Sequence, residues 1–136
     1  MPALMQICDN PELAVDYFRL HVTGHPCYNA DVECLIVVLL NARRRVLGHV
    51  LVSTGLLDTI LVHPREVFRP AIAAACSAVL LLHNHPSGDA TPSEADIKVT
   101  RDLIRAGQLL KIEVLDHVIV GKGQHVSLRA LGYFAS

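Results

Sequence analysis

Ala78-Val79-Leu80-Leu81-Leu82 running into His83-Asn84-His85-Pro86-Ser87-Gly88-Asp89 is the stretch on which the fold turns. Its first five residues form the most apolar short strand of the chain, a length and composition that suit a buried strand. The strand ends abruptly in a polar loop carrying proline and glycine. His83 and His85 stand two apart at this end, and in extended backbone residues i and i+2 point to the same face. The two imidazoles can therefore converge on one point.

Downstream, Thr91-Pro92-Ser93-Glu94 has the form of a capping box, with Thr91 as N-cap, Pro92 at the first helical position and Glu94 reaching back. With Gly107 as the stop signal, the pattern predicts a helix over 92–106. Strand candidates follow at Ile112 to Val120 and Val126 to Leu128, joined through Gly121-Lys122-Gly123. Upstream, Asn10-Pro11-Glu12 opens a helix near 10–21, and Thr23 to Asp31 reads as loop. Cys34 to Leu40 and Arg45 to Ser53 read as a hairpin around Asn41 to Arg44, its first strand central. A short strand is expected near Thr59 to Val62, then a helix start at Pro64-Arg65-Glu66, with Pro70 kinking or splitting that helix. No internal repeat, linker or low-complexity tract is visible. This order implies the α/β (α+β) class: a mixed β-sheet flanked by helices.

A chain of 136 residues is one ordinary domain: an N-terminal helix and loop over 1–30 packing on a main body over 31–136. A hydrophobic fraction of 51% against 18% charged excludes intrinsic disorder. A mean hydropathy of +0.38 makes a homo-oligomer an expected possibility. The longest nearly continuous apolar run, Ala71 to Leu82, is broken by Ser77 and falls well short of the roughly 20 residues that span a bilayer. No membrane segment or secretory signal is readable, so the cytoplasm is the expected compartment. A net charge of −1 supplies no broad positive field, which disfavours nucleic-acid binding. Cys8, Cys27, Cys34 and Cys76 show no C-x-x-C spacing and read as reduced, mostly buried thiols.

The chemistry gathers around His83 and His85. Eleven positions after His85 comes Asp96, about 20° from Leu103 on a helical projection and at the edge of the stripe of Ala95, Val99, Leu103 and Ala106. An ionised carboxylate pressed toward the interior is costly unless paired or metal-bound. A cation held by His83, His85 and Asp96 would compensate it, and two imidazoles, one carboxylate and a water form a tetrahedral zinc set with an open fourth position. That arrangement is hydrolytic. An isolated His-x-His is more often a loop feature, Asp96 alone could merely favour the positive end of its helix, and Ser93 alone could be a cap.

The string His83-x-His85-Pro86, six residues, then Ser93-x-x-Asp96 resembles the JAMM motif of the MPN zinc metallopeptidases. The surrounding sequence resembles the bacterial RadC branch of that family in Val62-His63-Pro64-Arg65-Glu66-Val67-Phe68, His83-Asn84-His85-Pro86-Ser87-Gly88, Thr91-Pro92-Ser93 and Asp116-His117. The resemblance spans about residues 10–133 and implies the cytidine-deaminase-like JAB/MPN architecture. The helix-hairpin-helix region of longer RadC-like chains has no counterpart, so the chain is expected to be close to the bare catalytic domain.

The resemblance also implies roles: His83, His85 and Asp96 as Zn2+ ligands, Ser93 as hydrogen-bond donor to the oxyanion, and an upstream glutamate as general base. Glu33, immediately before the strand from Cys34, is the favoured base. Glu66 is the alternative, at a helix start whose dipole already accounts for an acid. The implied activity is cleavage of a peptide or isopeptide bond in a peptide or protein substrate. A non-catalytic MPN interaction module and a DNA-associated role are the alternatives. Asp116-His117 is expected to be structural, Asp116 bonding backbone near a strand end. His63 either orients a neighbouring group or is solvated, Arg43-Arg44-Arg45 reads as an exposed hairpin tip, and His21, His25, His49 and His125 have no usable partner spacing.

Overall fold

The computed structural model describes residues 6–54 and 62–134; the strand expected near Thr59 to Val62 lies almost wholly outside them. In chain order the elements are α1 (Pro11–Tyr17), a π-helical turn (Phe18–Val22), β1 (Cys34–Leu40), β2 (Val46–Thr54), α2 (Pro64–Ala73), β3 (Ala78–Asn84), α3 (Glu94–Leu110), β4 (Glu113–Val120) and β5 (His125–Ser127). The strands form one mixed sheet in the order β2-β1-β3-β4-β5. β3 pairs antiparallel with β1 and parallel with β4. The outer pairs, β1 with β2 and β4 with β5, are antiparallel.

Helices cover both faces of this sheet, which explains why β1 and β3 are apolar without alternation. Ile36, Val38, Leu40, Leu80 and Leu82 pack with Ala14, Val15 and Phe18 on the α1 side. Leu35, Val37, Leu39, Val79 and Leu81 pack with Val67, Phe68, Ala71 and Leu103 of α2 and α3 on the other. The α/β class with helices flanking a mixed sheet is as the sequence implies.

Several local expectations change. Asn10 caps α1 as expected, its Oδ1 accepting from Leu13 N at 2.8 Å, but the α-helix ends at Tyr17 and continues as the wider turn closed by Thr23 N to Phe18 O at 3.0 Å. α2 runs unbroken through Pro70. The proline sacrifices the bond to the Glu66 carbonyl, and the buried Val67, Phe68 and Ala71 hold the helix to the core around it. α3 begins two residues later than expected, because Thr91 is engaged with Asp89 Oδ1 through its own N–H at 3.0 Å and its hydroxyl at 2.7 Å, and Ser93 becomes the cap. Gly107 does not end α3; the helix continues to Leu110, and Lys111 closes it in the left-handed region at φ 60°. Gly107 serves close packing, since a Cβ there would lie 2.4 Å from the Ile112 carbonyl oxygen. β3 extends through His83 and Asn84, which pair with Ile119 and Val120 of β4.

Cys8, Cys34 and Cys76 are buried free thiols and Cys27 is an exposed one. At the β1–β2 hairpin tip Arg44 adopts φ 62° and its guanidinium pairs with Glu113 at 2.9 Å. No helix among the described residues is long and apolar enough to cross a membrane.

Candidate metal centre

The centre lies where the central strand leaves the sheet. His83 shares its face with Leu81, toward α3, and is 1% exposed. His85 follows on the same side, its Nδ1 at 2.9 Å from the Asp89 carbonyl oxygen. A carbonyl can only accept, so Nδ1 donates, which leaves Nε2 to meet the acids: it donates to a carboxylate when the ring is protonated and offers a lone pair to a cation when the ring is neutral. The loop that carries Asp89 is fastened to the β4–β5 turn: Gly88, at φ +92°, accepts from Lys122 N at 3.0 Å and Gln124 Nε2 at 2.9 Å. Gly121 permits this approach, because a Cβ there would lie 2.3 Å from the Gly88 oxygen.

Two carboxylates close on the imidazoles. Asp96 stands at the third position of α3 and is 1% exposed; its Oδ1 lies 3.3 Å from His83 Nδ1 and its Oδ2 3.2 Å from His85 Nε2. Oδ2 also accepts from Ser93 N at 2.8 Å, while Ser93 Oγ accepts from Asp96 N at 3.1 Å. The reciprocal cap therefore aims Asp96 as well as starting the helix. Glu33, just before β1, places Oε1 at 3.5 Å from His83 Nε2 and 3.7 Å from His85 Nε2. Glu33, His83 and His85 each offer a donor atom within 4.8 Å of the others.

These donors fit a divalent cation. Both ring nitrogens of His83 are buried without a hydrogen-bond partner, although each faces a carboxylate oxygen. A neutral imidazole has one proton, so one lone pair must confront a carboxylate unless a cation intervenes. Two acids and two neutral imidazoles carry two negative charges, which a divalent ion would balance. Burial works against ionised Asp96, but the His85 ring, the Ser93 N–H and His83 overcome it and hold the carboxyl below its usual range. The bond to Asp96, against the opposing effect of burial, raises the pKa of His85.

The structure brings Glu33, His83, His85, Ser93 and Asp96 to one place. Glu66 is engaged elsewhere: its Oε2 accepts from His63 N at 3.0 Å, and His63 Nδ1 accepts from Arg65 N at 3.2 Å, a reciprocal cap on α2. His63 is thus an N-cap. Asp116 bonds backbone as expected, with Oδ1 accepting from His117 N at 2.7 Å and Arg129 N at 3.1 Å. His117 is different. Its fully buried ring lies 5.6 Å from the His83 ring, and its Nδ1 is 2.7 Å from Thr100 Oγ1, which itself donates to the Asp96 carbonyl at 2.8 Å. With that hydroxyl proton committed, His117 Nδ1 must donate. Burial first, and neighbouring His83 second, lower the pKa of His117 and keep the ring neutral. Sequence reasoning missed this packing behind the histidines; Thr100, four residues after Asp96 on one helix face, was the available sign.

A mixed sheet covered on both faces, with acids and imidazoles gathered at the exit of its central strand, defines an α/β domain with a site able to hold a metal ion. The family described as RadC-like JAB domain matches residues 8–133, and the chain belongs to that family. It is 50% identical over 98 residues to a UPF0758 protein of Caldanaerobacter subterraneus subsp. tengcongensis, covering 72% of this chain and 42% of that protein. Against a UPF0758 protein of Desulfitobacterium hafniense it is 53% identical over 102 residues, covering 75% and 45% respectively. Against one of Staphylococcus carnosus it is 41% identical over 128 residues, covering 92% and 53%. The chain spans about half the length of the curated relatives it matches.

Proposed function

We propose that this chain is a cytoplasmic, zinc-dependent hydrolase of the JAMM type that cleaves an amide bond in a peptide or protein. The observation that carries the proposal is His83, a buried imidazole with a carboxylate oxygen facing each nitrogen and no hydrogen bond on either. His83, His85 and Asp96 would hold the ion. Zinc, when bound, lowers the pKa of a coordinated water from about 15.7 to near 7 and polarises a substrate carbonyl.

Glu33 takes the base role on position. Its side chain is 12% exposed, against 1% for Asp96, and it stands slightly farther from both imidazoles, so of the two acids it is the one open to water. It would accept the proton of the attacking water and return it to the leaving amine. Ser93 Oγ accepts the Asp96 N–H with a lone pair, which leaves the hydroxyl hydrogen available to a carbonyl oxygen gaining negative charge. One such donor is typically worth about 3 kcal/mol in the transition state.

The test combines metal analysis with a comparison of cleaved protein termini in cells. Wild type purified without chelator should carry one equivalent of zinc, lost in His83→Ala and Asp96→Ala. Glu33→Ala should keep the metal and lose the termini that wild type generates, while Glu66→Ala keeps both. A folded, metal-free wild type would overturn the proposal in favour of a non-catalytic interaction module.

A further inference from the structure

Asn84 separates the two histidines in sequence, and its side chain leaves the opposite side of the strand. Its Oδ1 accepts from Cys34 N at 2.7 Å, and its Nδ2 donates to the Val32 carbonyl at 3.1 Å. These are the main-chain groups on either side of Glu33. The pairing of β1 with β3 ends at Leu35 and His83. Beyond that point the Asn84 amide continues the strand's grip in place of backbone, holding the chain as it turns away.

We infer that Asn84 is a positioning residue: by clamping the main chain before and after Glu33, it sets the Glu33 carboxylate against His83 and His85. The inference rests on the proposed metal site. Glu33 has a long side chain with several rotors, and a fixed backbone on both flanks removes the largest source of error in where its carboxylate lands. Asn84 is 4% exposed, and its bond to Cys34 N is sheltered from competing water. The chemistry of the clamp is specific. It needs one donor and one acceptor on a single planar group at this reach, which a primary amide supplies; serine is too short to span both, and alanine has neither. One strand segment, His83-Asn84-His85, thereby presents imidazoles on one face and fixes the neighbouring acid from the other.

The test uses cobalt(II) in place of zinc, its visible absorption reporting the donor geometry, together with hydrogen exchange of the Cys34 amide. Glu33→Gln should shift the cobalt spectrum. Asn84→Ala should speed Cys34 exchange roughly tenfold or more, keep one equivalent of cobalt, and shift the spectrum toward that of Glu33→Gln; the double variant should shift it no further. Asn84→Ser provides the same readouts if alanine prevents folding. A folded Asn84 variant that exchanges faster at Cys34 yet keeps the wild-type spectrum would overturn the positioning role and leave the metal site standing. A Glu33→Gln spectrum identical to wild type would also overturn it, since no Glu33 placement would then be sensed. Wild type that takes up no cobalt would remove the metal site, and this inference with it.

Discussion

Ser93 and Asp96 hold each other at the start of α3, the serine oxygen accepting the aspartate N–H at 3.1 Å and the aspartate oxygen accepting the serine N–H at 2.8 Å. A helix cap and a candidate metal ligand are thus one structural unit. Removing the serine hydroxyl disturbs both.

Ser93→Ala should lower stability by about 1 kcal/mol through the lost cap, measured by urea unfolding. Under the proposed mechanism it also lowers turnover about 100-fold. Ser93→Asp separates the effects, because a carboxylate can accept the Asp96 N–H but cannot donate. Restored stability with turnover still low is the expected result; restored turnover would remove Ser93 from the oxyanion role.

Thr100→Val keeps the shape of the side chain but strands the buried Nδ1 proton of His117. A loss of about 1–3 kcal/mol is expected in urea unfolding, with Thr100→Ser recovering most of it. An unchanged midpoint in the valine variant would show that the hydroxyl bridge contributes nothing.

Gly121→Ala places a Cβ against the Gly88 carbonyl, so destabilisation of about 1–3 kcal/mol is expected, with the His85 loop displaced. Gly48→Ala is the comparison, since a Cβ at Gly48 meets nothing within 4 Å. Thermal melts of the two variants should differ clearly.

The pH response of chelator-treated protein follows from Asp96 and His85. The lowered pKa of Asp96 gives stability that is present above its ordinary value of 3.8 and lost as pH falls through the folded value. The raised pKa of His85 gives stability that is full below its ordinary value of 6.5 and lost as pH rises through the folded value. The pair therefore contributes most between those two ordinary values. Where one such group titrates, stability should change by at most about 1.4 kcal/mol per pH unit. Asp96→Asn should flatten the acid limb in urea titrations across this range. Cobalt affinity should fall as protons compete for His85 on acidification; affinity independent of pH would argue against an imidazole ligand.

The apolar runs Cys34 to Leu40 and Ala78 to Leu82 were legible as central strands because burial on both faces removes any need for polar alternation. The meeting of His83, His85 and Asp96 was legible too, from strand parity and helical angle. Less legible was the choice between two adjacent caps. Thr91 and Ser93 both have the chemistry, and the Asp89 carboxylate, by claiming Thr91, decides between them. Gly107 carried a stop signal that tertiary contact with Ile112 converts into a packing requirement. His117 and Asn84 escaped because their partners, Thr100 and the Cys34 and Val32 backbone, are distant in sequence and come together through strand and helix packing.

The histidines end β3 and Asp96 opens α3, so an ion held by all three would tie the central strand to that helix as a removable staple. Loading it should retard global unfolding, and stripping it should hasten that loss while leaving each helix and strand intact at first. Occupancy would then double as a gauge of whether the chain has reached its finished shape.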